Sequence, residues 1–109
     1  MDENINDWIS KKITSNDVVL FMKGTPETPQ CGFSSQVVQI LNYLGIEFSS
    51  VNVLEDESIR NGIKEYTNWP TIPQLYVKNE FIGGADIVRE MFEENELKEF
   101  LKEKGIPTN

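Results

Sequence analysis

The chemistry of this chain centres on Cys31, in the run Cys31-Gly32-Phe33-Ser34. It is the only cysteine in 109 residues, and Ser34 stands where a second thiol would complete a Cys-x-x-Cys redox pair. Ser34 cannot resolve a mixed disulfide on Cys31, because exchange needs a second thiolate. A lone cysteine also forms no internal disulfide, which fits a reducing compartment, here the cytoplasm, with an organelle matrix left open. The chain has no histidine. That removes Cys–His and Ser–His nucleophilic pairs and all imidazole metal ligation. In isolation Cys31 reads as an inert buried thiol, as free cysteines commonly are. Its setting reverses that preference. A loop bounded by Pro26 and Pro29 precedes it and a helical pattern follows, so unpaired N–H groups at a helix start favour its thiolate.

The elements that must position this thiol follow from periodicity. Ile5, Trp8, Ile9 and Ile13 fall on one helical face within residues 3–15, and Ser15-Asn16-Asp17 breaks the pattern. Val18-Val19-Leu20-Phe21-Met22 is a continuous apolar run of β-formers, as expected of a strand buried on both faces. Lys23 and Gly24 close it. After Cys31, the residues Phe33, Val37, Ile40, Leu41 and Leu44 predict a helix stopped by Gly45. Phe48, Val51 and Val53 mark a second strand. A helix from about Asp56 carries Ile59, Ile63 and Tyr66 and ends at Asn68-Trp69-Pro70. Gln74 to Val77 and Phe81-Ile82, joined by Lys78-Asn79-Glu80, read as a β-hairpin. Gly83-Gly84 then opens a helix with Ile87, Val88, Met91 and Phe92, and Leu97, Phe100 and Leu101 carry a last one.

The order helix, strand, helix, strand, helix, hairpin, helix, helix predicts an α/β domain spanning 1–109. Its first strand–helix–strand unit is parallel and right-handed, and the hairpin adds antiparallel strands. The result is a mixed four-stranded sheet with about five helices on its two sides. Apolar residues make up 39% and charged residues 26%, an ordinary globular balance. A net charge of −8 without a Lys/Arg cluster argues against a nucleic-acid partner. No apolar run approaches the roughly 20 residues that span a membrane. The acidic start Met1-Asp2-Glu3-Asn4 argues against a secretory signal or an Arg-rich transit peptide.

Five segments together carry a family resemblance. They are Met22-Lys23-Gly24-Thr25, Pro29-Gln30-Cys31-Gly32-Phe33-Ser34, Ile59-Arg60, Trp69-Pro70-Thr71-Ile72-Pro73-Gln74-Leu75 and Gly83-Gly84-Ala85-Asp86. In this order and spacing the chain resembles a monothiol glutaredoxin of the CGFS type, within the thioredoxin fold, over nearly its whole length. It departs from many such relatives in carrying Ala85 where they have a cysteine, so no internal disulfide joins Cys31 to position 85.

The resemblance implies a glutathione groove beside Cys31, the catalytic thiol. In the family Pro73 is cis and faces the cysteine, although an unaided X-Pro bond is more often trans. Thr71, Ile72 and Pro73 then form one wall, with the Ile72 backbone left to pair with an extended peptide. Gly84, Ala85 and Asp86 form the other end. Backbone N–H groups at Ala85 and Asp86 would take the γ-glutamyl carboxylate, and the Asp86 side chain its ammonium. Read without the family, Asp86 is simply a good helix N-cap. Lys23 and Arg60 would bind the glycyl carboxylate. Alone, they read as a strand-end charge and a solvated helix residue.

A [2Fe–2S] cluster needs four ligands, usually thiolates. One chain offers Cys31, two chains offer two, and two glutathiones would supply the rest. The expected cluster-bound form is therefore a homodimer and the apo form a monomer. The resemblance implies cluster storage and transfer to apo iron–sulfur proteins, pairing with BolA-type proteins, and weak oxidoreductase turnover. The alternative is a glutathione-dependent thiol–disulfide oxidoreductase that removes glutathione from proteins with Cys31 as sole nucleophile. The same groove serves both.

Overall fold

A computed structural model describes residues 3–109; the Met1-Asp2 start lies outside the described residues. The elements are α1 (Glu3–Thr14), β1 (Val18–Met22), α2 (Gly32–Tyr43), β2 (Ser49–Asn52), α3 (Glu57–Thr67), β3 (Gln74–Val77), β4 (Glu80–Gly83), α4 (Ala85–Glu93) and α5 (Glu96–Glu103). All five residues of β1 are buried, and their alternation divides the interior in two. Val18, Leu20 and Met22 face a core built with Val37 and Leu41 of α2, Val88 of α4, and Leu97 and Leu101 of α5. Val19 and Phe21 face the opposite core, with Ile9 and Ile13 of α1, Ile63 of α3 and Tyr76 of β3. Each such side chain contributes about 1.5–3 kcal/mol by leaving water, so a strand apolar on both faces fastens both helical layers at once.

The sheet order is β2-β1-β3-β4. β1 and β2 are parallel, linked by α2 as crossover, whereas β1–β3 and β3–β4 are antiparallel. This is the mixed four-stranded sheet with five helices expected from the sequence. The β3–β4 turn uses Lys78 (φ 49°) and Asn79 (φ 67°), two consecutive left-handed residues that match the twist of a tight hairpin. It is tied to the start of β1 by the Lys78 N–H donating to the Asp17 carbonyl at 2.7 Å and by a 3.0 Å Lys78–Asp17 ion pair.

α3 begins as the sequence predicts. Asp56 is its N-cap, accepting from the Ser58 and Ile59 N–H groups. Three apolar residues on predicted helical stripes lie outside the cores: Trp8, Phe33 and Tyr66 are 41%, 60% and 40% exposed. Phe33 lies in the first turn of α2, next to Cys31. At α4 the cap is Gly84 rather than Asp86, which falls in the first turn and pairs with Arg89 at 3.5 Å.

Candidate functional site

Cys31 is the N-cap of α2, with extended backbone (φ −155°, ψ 134°), and its carbonyl accepts the Ser35 N–H at 2.9 Å. Burial opposes ionisation of the half-buried thiol. The Ser34 and Phe33 backbone N–H groups, the Lys23 ammonium and the Ser34 hydroxyl outweigh that effect, so its pKa lies below the ordinary 9.0. Ser34 is fully buried, and its hydroxyl accepts the Lys23 backbone N–H at 3.1 Å. Ser34 thus replaces a resolving thiol and ties the first turn of α2 to the end of β1.

The loop ahead of Cys31 is held just as closely. The Lys23 carbonyl accepts the Gln30 N–H at 2.9 Å, and Thr25 and Thr28 exchange backbone hydrogen bonds across the turn. The Asn52 side-chain oxygen at the end of β2 takes the Gly24 N–H (2.9 Å) and the Leu54 N–H (3.0 Å). Gly24 has φ +90°, and a Cβ there would lie 2.5 Å from the Thr28 carbonyl oxygen, so only glycine closes this loop without strain.

Beside the thiol lies a cleft of about 350 Å³. Cys31, Phe33, Lys23 and Lys64 line it together with a wall formed by Pro70 to Pro73 and with Ala85 and Asp86 at the start of α4. The Ile72–Pro73 bond is cis, as the resemblance implies. Ile72 precedes β3, whose pairing with β1 reaches only to Gln74 opposite Phe21, so its backbone N–H and C=O are not used in the sheet. The start of α4 approaches Pro73 closely because of Gly84: a Cβ there would lie 3.2 Å from the Pro73 carbonyl oxygen. Ala85 and Asp86 open α4, where first-turn N–H groups lack intrahelical acceptors.

The structure therefore brings Lys23, Cys31, Thr71, Ile72, Pro73, Ala85 and Asp86 to one cleft, with Gly84 immediately behind it. Arg60 does not line it. Lys64, one helical turn further along α3, does. Spacing offered a signal for this, since residues four apart share a helix face and Lys64 is nearer the loop that ends at Pro73. Among the described residues Lys78, Arg89 and Lys104 are paired with carboxylates, whereas Lys23 and Lys64 form no ion pair. Sequence reasoning also gave no role to Gln74, a fully buried polar residue that begins β3. Its signal was a glutamine leading an otherwise apolar strand. Trp69 packs edge-on against Phe81 with ring centroids 5.5 Å apart, and its indole N–H is buried without a protein partner.

Among the described residues no group of three or more Cys, Asp or Glu side chains is placed to hold a metal ion. Cys31 offers a single thiolate opening onto a cleft with two unpaired lysines and a helix start. That arrangement suits an anionic, thiol-bearing ligand.

Comparison with known proteins agrees with this geometry. The glutaredoxin family model matches residues 18–82. A ycf64-like monothiol glutaredoxin of Synechocystis is 58% identical over 94 residues, covering 86% of this chain and 88% of that protein. A probable monothiol glutaredoxin 2 of Rickettsia typhi is 53% identical over 105 residues, covering 95% of both. Among solved structures, a monomeric truncated mutant of Trypanosoma brucei 1-C-Grx1 superposes with a TM-score of 0.88 at 46% identity, covering 96% of this chain and 94% of that one. A buckwheat glutaredoxin–glutathione complex shares the fold, with a TM-score of 0.82 at 23% identity and 96% coverage of both chains. Fold and site define a thioredoxin-like protein built around one thiol. The chain belongs to the glutaredoxin family, and its relatives cited above at more than half identity are monothiol members of it.

Proposed function

We propose that this protein binds glutathione in the cleft beside Cys31 and carries a [2Fe–2S] cluster as cargo between two copies of itself, storing it and passing it to apo iron–sulfur proteins. One observation carries the reading. The thiolate-favouring Cys31 shares a cleft with Lys23 and Lys64, two cations without a carboxylate partner, and with the start of α4. Glutathione has carboxylates at both ends and a thiol between them. Lys23 and Lys64 would hold its glycyl carboxylate, and the Ala85 and Asp86 N–H groups its γ-glutamyl carboxylate. Ile72 would pair with its backbone as an added strand. Asp86, which leans toward Arg89, would turn toward the γ-glutamyl ammonium.

The donor set fits a cluster as one part in four. Each chain supplies the Cys31 thiolate and each bound glutathione another, so two chains and two glutathiones complete the four ligands. A cluster so held is exposed at its edges, which suits transfer. The cluster-bound form would be a homodimer and the apo form a monomer, in a reducing compartment such as the cytoplasm, with BolA-type proteins as partners.

The lowered pKa of Cys31 favours a second activity of the same site, removal of glutathione from proteins. The Cys31 thiolate attacks the glutathione sulfur of a mixed disulfide and releases the protein thiolate. A second glutathione thiolate then attacks the glutathione sulfur now bonded to Cys31, freeing Cys31 and glutathione disulfide. Ser34, a buried hydroxyl engaged with Lys23, takes no part in either exchange.

Anaerobic reconstitution with iron, sulfide and glutathione tests the primary reading. Thiolate-to-iron absorption that requires both glutathione and Cys31 supports it, and a colourless protein under those conditions refutes it. Rapid reduction of a glutathione mixed disulfide by that colourless protein would establish the second activity instead.

A further inference from the structure

We propose that Gln74 is a positioning residue for glutathione, fixing the Pro70–Pro73 wall of the cleft through hydrogen bonds to the Trp69 and Thr71 carbonyls. The inference rests on the glutathione reading and names the residue that holds that site in shape. The Gln74 side chain is fully buried at the start of β3 and is not itself among the residues that line the cleft. Its Nε2 donates to the Trp69 carbonyl at 3.2 Å and to the Thr71 carbonyl at 3.3 Å. Its Oε1 accepts from the Tyr76 hydroxyl at 3.0 Å and lies 3.1 Å from the Thr67 hydroxyl, whose single proton it shares with the Ile63 carbonyl at 2.9 Å. The orientation of the amide follows from these partners, because two carbonyl oxygens accept only and must face the NH₂ group.

The two sides of the amide have different tasks. Its oxygen is anchored to rigid elements, Thr67 in the last turn of α3 and Tyr76 in the centre of β3. Tyr76 is itself held by edge-on packing against Phe21, with ring centroids 5.7 Å apart. The NH₂ group reaches the irregular segment between those elements. Residues 68–73 belong to no helix or strand, and Thr71 is exposed. Among the described residues, beyond Gln74, only the Trp69 N–H donating to the Lys64 carbonyl (3.1 Å) ties residues 69–71 by a hydrogen bond. Without Gln74 the carbonyls of Trp69 and Thr71 lose their side-chain donor, and the wall that presents Ile72 to a peptide ligand is free to shift.

The test compares glutathione affinity in three full-length proteins by calorimetry. Gln74→Met with Tyr76→Phe removes the amide and the hydroxyl that would otherwise be buried unpaired, a paired apolar replacement that preserves folding. Tyr76→Phe alone removes one anchor and keeps both bonds to the wall. The expected result is roughly tenfold weakening in the double variant, less than about twofold in Tyr76→Phe, and an unchanged pH midpoint for Cys31 alkylation in both. A double variant that binds glutathione as tightly as wild type overturns the proposal. So does equal weakening in both variants, which would mark a general loss of stability. Wild-type protein that fails to bind glutathione would refute the underlying site instead, so the two failures are distinguishable.

Discussion

The backbone N–H of Lys23 donates to the Ser34 hydroxyl at 3.1 Å, so the residue standing where a second thiol would be is bound to the residue that follows β1 and carries the site's first cation. The same hydroxyl helps to stabilise the Cys31 thiolate. Ser34→Ala therefore has two expected consequences. It leaves the Lys23 N–H without its partner, at a cost of about 1 kcal/mol, seen as a fall in Tm of roughly 4–8 °C. It also raises the Cys31 pKa, measured as an upward shift in the pH midpoint of alkylation by iodoacetamide.

The pH dependence of the wild type has a definite sign. The Cys31 pKa is below 9.0 when folded and returns toward that ordinary value when unfolded. The unfolded state therefore binds the proton more tightly. The stability contributed by the thiolate is fully present above the unfolded value and is lost as pH falls through the folded one. Alkylation of native protein should show a midpoint below 9.0, and Lys23→Ala should move it upward by removing a favourable charge. An unchanged midpoint in Lys23→Ala would show that the helix start alone sets the thiol.

Lys64, not Arg60, lines the cleft. Lys64→Ala should weaken glutathione binding about tenfold, the effect of one charge-assisted hydrogen bond, whereas Arg60→Ala should change it less than about twofold. Titration calorimetry of the two variants side by side reads the difference.

Gly24 cannot accept a side chain. Gly24→Ala combines φ +90° with a Cβ 2.5 Å from the Thr28 carbonyl and 2.6 Å from the Gln30 N–H nitrogen. A destabilisation of about 1–3 kcal/mol is expected, together with slower glutathione-dependent assembly, because the loop it distorts leads directly into Cys31. Thermal unfolding followed by circular dichroism measures the first effect.

Much of this architecture is legible in the sequence because local rules and global packing agree. Val18–Met22 reads as a doubly buried strand since it is short, apolar and bounded by breakers, and it is the strand that divides the two cores. Cys31 is singled out by having no internal partner, and the helix behind it by its spacing. Periodicity gives the direction of a helical stripe but not how much of it the sheet covers, so the exposure of Trp8, Phe33 and Tyr66 required the packed structure. Arg60 and Lys64 lie on the same side of α3, and only the path of the chain from Asn68 to Pro73 decides which meets the cleft. Asp86 has the chemistry of a cap, yet Gly84 takes that place because the chain must pass close to Pro73 there. The Gln74 network joins Thr67, Trp69, Thr71 and Tyr76 through the fold, and no local pattern encodes it.

The central claim, that Cys31 is one quarter of a shared cluster site, meets its most direct test in native mass spectrometry after anaerobic reconstitution with iron, sulfide and glutathione. The account predicts one dominant species of two chains, two glutathiones and one [2Fe–2S] cluster, which falls apart into apo monomers in Cys31→Ser. A cluster retained by a single chain, or a dimer that holds its cluster without glutathione, would contradict it.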